Sequence, residues 1–370
     1  MAGLYFHIPF CKSICAYCDF FRTGDLRRMD DTLRAMEAEM ERERGFICDH
    51  AVRTIYFGGG TPSLVPPATL QHLIDRARET FDCSGVEEIT VEANPDDVTD
   101  GYVGALRRTD INRVSLGIQS FDDAELRFMN RRHTAAEAEA AVGRLQDAGY
   151  GNITIDIIFG VDGFGGEVLE RTLERAVSLG VQHVSAYHLT FEPATAFGRL
   201  LARGVMREVD EAVSEAEYAA VERALTQAGF EHYEVSNYAR EGFRARHNSS
   251  YWHGAQYLGI GPGAHSFNGE VRRWSSQRPE EYIAAPRYES ERLTLRDRCN
   301  EYIMTGLRCA EGIDTEVLRE RFGGERFERV MREAEKWIAS GELRYANKRL
   351  SIPTERMLVS DAVIESLFET

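Results

Sequence analysis

The chain has 370 residues, with 44 basic and 60 acidic side chains and a formal net charge of −16. That acidic balance excludes a general polyphosphate binder, which needs clustered Lys and Arg, and a 43% hydrophobic fraction excludes wholesale disorder. At ~150 residues per domain the length allows two or three domains, or one large barrel with an appendage.

The N-terminus, Met1-Ala2-Gly3-Leu4-Tyr5-Phe6-His7, has no basic stretch leading into an apolar core, so no secretory signal is expected. No uncharged apolar run approaches the ~18 residues of a membrane span. A soluble, cytoplasmic protein is the expectation. Short runs rich in Val, Ile, Tyr and Phe then predict strands at 4–8, 53–57, 88–92, 113–118, 153–159 and 183–189. Helical spacing predicts helices over 26–44, where Leu33, Met36 and Met40 share a face, and over 135–148 and 168–179. Pro66-Pro67 opens another helix, where a missing N–H costs nothing. Six strands alternating with helices imply an α/β fold with a parallel sheet, either open or curled into a barrel. In both cases the chemistry belongs at the C-terminal ends of the strands.

After about residue 285 the pattern changes. Helices are predicted over 296–307, 315–321 and 326–340, then a hairpin over 342–352 turning near Asn347, then a last helix over 361–368. This reads as a small winged-helix-like module, 286–370, following a larger unit, 1–285. Between Glu325 and Arg349 there are seven basic and five acidic residues. That mixture favours a packing or partner surface over a nucleic-acid surface, so no nucleic-acid partner is expected.

The strongest chemical signal is Cys11-Lys12-Ser13-Ile14-Cys15-Ala16-Tyr17-Cys18. Thiolates in this density select zinc or an iron–sulfur centre. A structural zinc wants four ligands, and only His7 or Asp19 stands near enough in sequence to add one. A four-iron cluster held by three cysteines keeps one iron open for a ligand. Gly58-Gly59-Gly60-Thr61-Pro62 directly follows the second strand, where glycines let a backbone approach a ligand. Glu92, Gln119, Arg131 and Asp156 lie at or near strand ends, with Asp156 inside strand five. Singly, each could be a buried polar group with an ordinary partner.

The cysteine spacing resembles the signature of the radical S-adenosylmethionine superfamily, and the resemblance covers most of the chain. It implies a partial (β/α)6 barrel and a [4Fe-4S] cluster on Cys11, Cys15 and Cys18. It also implies S-adenosylmethionine held by Tyr5, Gly59, Gly60, Thr61, Glu92, Gln119, Arg131 and Asp156. The segment Gly259-Ile260-Gly261-Pro262-Gly263-Ala264, an ordinary loop by itself, would lie near the adenine. Tyr5-Phe6-His7-Ile8-Pro9-Phe10-Cys11 and Gly117-Ile118-Gln119-Ser120-Phe121 resemble a narrower group, that of oxygen-independent coproporphyrinogen III oxidase and its relatives. Two departures argue against the oxidase reaction itself. Phe20 stands where the oxidase has a further cysteine, and only four residues precede Tyr5 where the oxidase has an extension. A third departure, Gly160-Val161-Asp162-Gly163-Phe164-Gly165-Gly166, reads as a varied loop.

His247-Asn248-Ser249-Ser250-Tyr251-Trp252 resembles a motif of the HemW-type haem-chaperone branch. The resemblance implies haem as a further cofactor, with His247 as its axial ligand and the faces of Tyr251 and Trp252 against the porphyrin. By its residues alone the segment better suits a hydrogen-bonded structural histidine. The expected function is binding of haem and its delivery to acceptor haem proteins or respiratory enzymes. An electron donor such as flavodoxin or ferredoxin, and peripheral membrane contact through the acceptors, go with that reading. The alternatives are oxygen-independent coproporphyrinogen III dehydrogenase and a barrel with a zinc-bound loop and no redox role. No catalytic residue is assigned.

Overall fold

A computed structural model describes residues 2–275 and 278–370; Met1, part of the N-terminal reading above, lies outside them. Six strands form the expected parallel array: β1 (Ala2–Ile8), β2 (Val52–Gly59), β3 (Glu88–Ala93), β4 (Arg113–Gln119), β5 (Ile153–Phe159) and β6 (His183–His188), each hydrogen-bonded to the next. The pleat separates two faces. Leu4, Phe6 and Ile8 of β1 are wholly buried, and Phe6 stacks on Phe57 of β2 with ring centres 4.9 Å apart. Tyr5 points to the other face, 6.0 Å from the ring of Tyr56.

Helices close the apolar face. The helix Met29–Glu43 buries Leu33, Met36 and Met40. The helix Pro67–Thr80 begins on a proline and buries Leu70, Leu73, Ile74 and Ala77, the 3–4 spacing of one helical stripe. Ala135–Asp147 and Glu167–Ser178 fall within a residue or two of their predicted bounds. Thr134 explains the sharp start of the former: its hydroxyl and Glu137 form a reciprocal capping box.

The sheet continues beyond the six strands. The strands β7 (Glu231–Glu234) and β8 (Asn237–Ala239) add antiparallel to β6. The strand β9 (Gln256–Ile260) pairs parallel with β1, and β10 (His265–Phe267), β11 (Val271–Ser275) and β12 (Tyr288–Arg292) continue from it antiparallel. The result is one twelve-stranded sheet ordered β12-β11-β10-β9-β1-β2-β3-β4-β5-β6-β8-β7. Its last strand, β12, lies beyond the division expected at 285, so the sheet reaches into what sequence assigned to the second unit.

The C-terminal part comprises the helices Leu295–Leu307, Thr315–Phe322 and Gly324–Ser340, a short sheet of β13 (Ile313–Asp314), β14 (Arg344–Ala346) and β15 (Arg349–Ser351), and the helix Ser360–Ser366. The β14–β15 hairpin turns on Asn347 and Lys348, both left-handed with φ of 52° and 63°, as a two-residue hairpin turn requires. Ile303, Leu307, Leu318, Val330 and Leu350 join the same buried core as the barrel. Among the described residues no helix is long and apolar enough to cross a membrane.

Candidate functional site

The cysteine loop leaves the C-terminal end of β1 and crosses the mouth of the array. Its backbone is tied at both ends: Cys11 N–H donates to the Thr23 carbonyl at 2.9 Å and Ala16 N–H to the Met129 carbonyl at 3.1 Å. All three thiols are free; Cys11 is buried, Cys15 and Cys18 half-buried. Burial pushes the Cys11 and Cys18 thiols upward, Cys18 to about 11. Among the described residues no three His, Cys, Asp or Glu side chains converge as on a single metal ion. Cysteines that each bind a different iron of a cluster need not converge.

Side chains from segments after β2, β3 and the helix Asp123–Phe128 hold this loop. Asn130, itself left-handed with φ 60°, donates from Nδ2 to the Ile14 carbonyl at 2.7 Å and to Ser13 Oγ at 3.2 Å. Arg131 donates from Nη1 to Cys15 Sγ at 3.3 Å and from Nη2 to Asn94 Oδ1 at 2.8 Å and to the Gly117 carbonyl. The Thr61 hydroxyl donates to Cys11 Sγ at 3.4 Å and accepts from Asn94 Nδ2 at 3.3 Å. Lys12 reaches Asp97 at 2.6 Å, and Ser63 donates to the same carboxylate at 2.9 Å. Ala16 and Tyr17 pack against a small apolar cluster of Met129, Ile158, Val161, Leu189 and Phe197.

The glycine segment lies against the same loop. Gly60 N–H donates to the Ile8 carbonyl at 2.8 Å. A Cβ on Gly60 would stand 2.7 Å from the Pro9 carbonyl carbon, and one on Gly59, at φ 110°, 2.7 Å from the His7 ring. Neither position admits a side chain. Glu92 accepts from Gly59 N–H at 3.1 Å and from the Tyr56 hydroxyl at 2.7 Å. Burial pushes the Glu92 carboxyl up to about 7 despite the Tyr56 hydrogen bond, and Asp156 adds to the push. Asp156 pairs in register with Gly117 and Ser185, and burial raises it to about 6. Gln119 sits at a bulge in β4 with φ 71°, a strained conformation for a non-glycine residue, and its amide folds over Gly117.

The structure thus gathers the cysteines, Tyr5, Gly59, Gly60, Thr61, Glu92, Gln119, Arg131 and Asp156 at or beneath one mouth. Sequence reasoning missed Asn94, Asn130 and the Lys12–Asp97–Ser63 set. Asn94 directly follows β3 and Asn130 directly precedes Arg131. A systematic look at polar residues flanking strand ends would have found Asn94, whereas Asn130 follows the helix Asp123–Phe128.

His247 is the expected haem ligand. It is completely buried in the helix Arg246–Trp252. Nδ1 is hydrogen-bonded to Thr54 Oγ1 at 2.8 Å and Nε2 to the Tyr251 hydroxyl at 2.7 Å. Its ring stacks on Tyr56 at 4.9 Å. Burial pulls its pKa down to about 3, so the ring is neutral, with one nitrogen donating and the other accepting. Both nitrogens are hydrogen-bonded in this structure. His247 here fastens the helix to β2, while Trp252 stays half-buried.

The glycine stretch after β9 is also specific. Gly259 pairs with Tyr5, and Gly261, at φ 118°, donates its N–H to buried Glu39 at 2.8 Å. The loop at 160–166 is held by Gly160 N–H donating to Glu217 at 2.8 Å and by an Asp162–Arg207 ion pair at 3.1 Å. Phe164 packs against Phe128 with ring centres 5.3 Å apart and planes tilted by 41°.

Residues 5–176 match the Radical SAM superfamily and residues 293–358 the HemN C-terminal domain. The chain is 35% identical over 375 residues to Heme chaperone HemW of Mycobacterium tuberculosis, covering 99% of this chain and 94% of that one. It is 36% identical to Heme chaperone HemW of Lactococcus lactis, covering 86% and 84%, and 32% identical to that of Escherichia coli, covering 84% and 83%. Among solved structures, coproporphyrinogen III oxidase (HemN) from Escherichia coli superposes with a TM-score of 0.84 at 21% identity, covering 99% of this chain and 90% of that one, which establishes the shared fold. With chain-long identity of this extent, the chain belongs to the radical SAM superfamily and, within it, to the family of the HemW haem chaperones.

Proposed function

We propose that this protein is a haem chaperone that binds haem and passes it to acceptor haem proteins, with a [4Fe-4S] cluster on Cys11, Cys15 and Cys18 and S-adenosylmethionine beside it. The single observation that carries the reading is the chain-long identity to the mycobacterial Heme chaperone HemW. The side chains at the mouth suit the two resident groups. Three free thiols on one loop match a four-iron cluster with one iron left open. Arg131 has a buried Nε with no partner, so its guanidinium has donor capacity left for a carboxylate.

When bound, the cluster supplies an electron and S-adenosylmethionine a carbon–sulfur bond that an electron can break. The chain's own residues do the rest. Glu92 accepts from ribose hydroxyls, Gly59 and Gly60 let the ligand approach the backbone, and Arg131 fixes its carboxylate. Tyr5, Thr61, Gln119 and Asp156 complete the contacts. Asn130 and Asn94 hold the loop and the arginine in position. The setting we infer is the cytoplasm, with a flavodoxin or ferredoxin as electron donor and respiratory haem enzymes as acceptors, reached by peripheral membrane contact where those are membrane-bound.

The test is anaerobic. The reconstituted protein is titrated with haem and, separately, given reductant, S-adenosylmethionine and coproporphyrinogen III beside an authentic oxidase. The proposal expects a shifted Soret band and no protoporphyrinogen. No Soret shift together with sustained protoporphyrinogen formation would replace the chaperone reading with the dehydrogenase.

A further inference from the structure

Asp97 is a buried carboxylate whose partners come from three separate segments of the chain. It closes the short 3-10 turn Pro95–Asp97 that follows β3, and its side chain is only 3% exposed. The turn is fixed by its own backbone: Asp97 N–H donates to the Asn94 carbonyl at 3.0 Å, and Thr99 N–H donates to the Asp97 carbonyl at 2.9 Å. Lys12 Nζ donates to Oδ1 at 2.6 Å, the Ser63 hydroxyl donates to Oδ2 at 2.9 Å, and the Arg132 guanidinium lies 3.6 Å from Oδ1.

Each partner stands one or two residues from a residue assigned above to the cluster or to S-adenosylmethionine. Lys12 adjoins Cys11, Ser63 comes two after Thr61, and Arg132 adjoins Arg131. A second link runs through Ser63, whose Oγ accepts the Asn94 N–H at 3.2 Å, while the Asn94 side chain joins the Thr61 hydroxyl and the Arg131 guanidinium. One carboxylate thus ties the cysteine loop, the glycine segment and the arginine segment to a single point. Asp96 does not replace it, because its ion pair is with Arg132 alone among these partners. Without Asp97 the buried Ser63 hydroxyl loses its acceptor, and Lys12, 45% exposed, is free to turn to solvent.

Resting on the assignment of the cluster and S-adenosylmethionine above, we propose that Asp97 is a positioning residue for the ligand of the open iron. It fixes the cysteine loop relative to the glycine and arginine segments, the three parts that would hold S-adenosylmethionine. With its side chain enclosed, it acts through Lys12, Ser63 and Arg132. Hydrogen bonds to an ionised acceptor are short and strong, so a carboxylate suits this task.

The experiment uses the full chain with its cluster reconstituted anaerobically, and compares wild type with Asp97→Ala, Asp97→Asn and Lys12→Met. Iron and sulfide are counted, and S-adenosylmethionine affinity is measured per cluster by equilibrium binding. The electron paramagnetic resonance spectrum of the reduced cluster, which responds to what binds the open iron, is recorded with and without S-adenosylmethionine. All variants keep the three cysteines and are expected to carry iron near the wild-type level. Asp97→Ala should bind about 10-fold more weakly, the low end of the loss when an orienting partner is removed, with a smaller ligand-induced spectral change. Asp97→Asn keeps an acceptor and should recover part of the loss; Lys12→Met should lose less than Asp97→Ala. A lower folded yield of Asp97→Ala with wild-type affinity and spectral response per cluster overturns the proposal. Should Asp97→Ala fail to fold, wild-type affinity and response in both Asp97→Asn and Lys12→Met overturn it equally. Failure of wild type to hold a cluster or bind S-adenosylmethionine overturns the assignment beneath it, whereas unchanged variants beside a competent wild type overturn the role of Asp97 alone.

Discussion

The cysteine loop and the His247 helix abut neighbouring strands, and both are rich in polar motif residues, yet their polar groups are in opposite states. Around the loop, donors and acceptors are held in position with capacity left over: three free thiols, a buried Arg131 Nε without a partner, and a Glu92 carboxyl raised by burial. Around His247 both ring nitrogens are satisfied, and Glu88 accepts the backbone N–H at 2.9 Å. Buried polar groups cost stability unless they are partnered. Around the loop that spare capacity suits an entering ligand, whereas the network around His247 is closed.

The largest expected break in this comparison is on the loop. Cys11→Ala, Cys15→Ala and Cys18→Ala should each reduce iron and sulfide to background after anaerobic reconstitution, and wild-type iron in any of them would refute the assignment of the cluster. Next, Arg131→Ala should weaken S-adenosylmethionine binding by about 10- to 100-fold, the loss expected when a charged hydrogen bond is removed. Equilibrium binding measures it, and an unchanged affinity would remove Arg131 from the site.

On the closed side the effect is on stability. His247→Ala leaves Thr54 and Tyr251 short of a partner and opens a cavity, so it should cost about 2–4 kcal/mol in urea unfolding of the apoprotein. A neutral substitution would show that the network contributes little. The smallest effect is a pH dependence. Glu92 and Asp156 have folded values of about 7 and about 6, above their unfolded values of 4.5 and 3.8. The folded state then binds more protons between these limits. Its extra stability is complete below about pH 4 and lost as pH rises through 6–7. Apoprotein melting across pH 4–8 should show that fall, and Glu92→Gln should flatten it. Stability rising through this window would contradict the burial of uncompensated carboxyls.

The barrel was legible because its strands are short runs dominated by β-branched and aromatic residues, such as Ile153-Thr154-Ile155-Asp156-Ile157-Ile158-Phe159, and its helices carry single apolar stripes. The edge strands β9 to β12 were not read as strands, because they are short, and Arg272, Arg273, Glu289 and Glu291 give them no apolar pattern. The cysteine loop was legible from local spacing. Its clamps were not, since Asn130 meets Ile14 and Asn94 meets Arg131 only after the chain has wound through several strands. The network around His247 was hidden for the same reason. The motif was read within its own helix, while the partner that occupies Nδ1 is Thr54, far away in sequence.

The most direct test of the account is transfer itself. Haem-loaded, cluster-containing protein is mixed anaerobically with a haem-free respiratory haem protein, and the acceptor's own optical spectrum is followed. The account predicts that the acceptor gains haem as this chain loses it, faster than from free haem at the same concentration. An acceptor that fills no faster than from free haem would contradict a chaperone and leave only a haem-binding barrel.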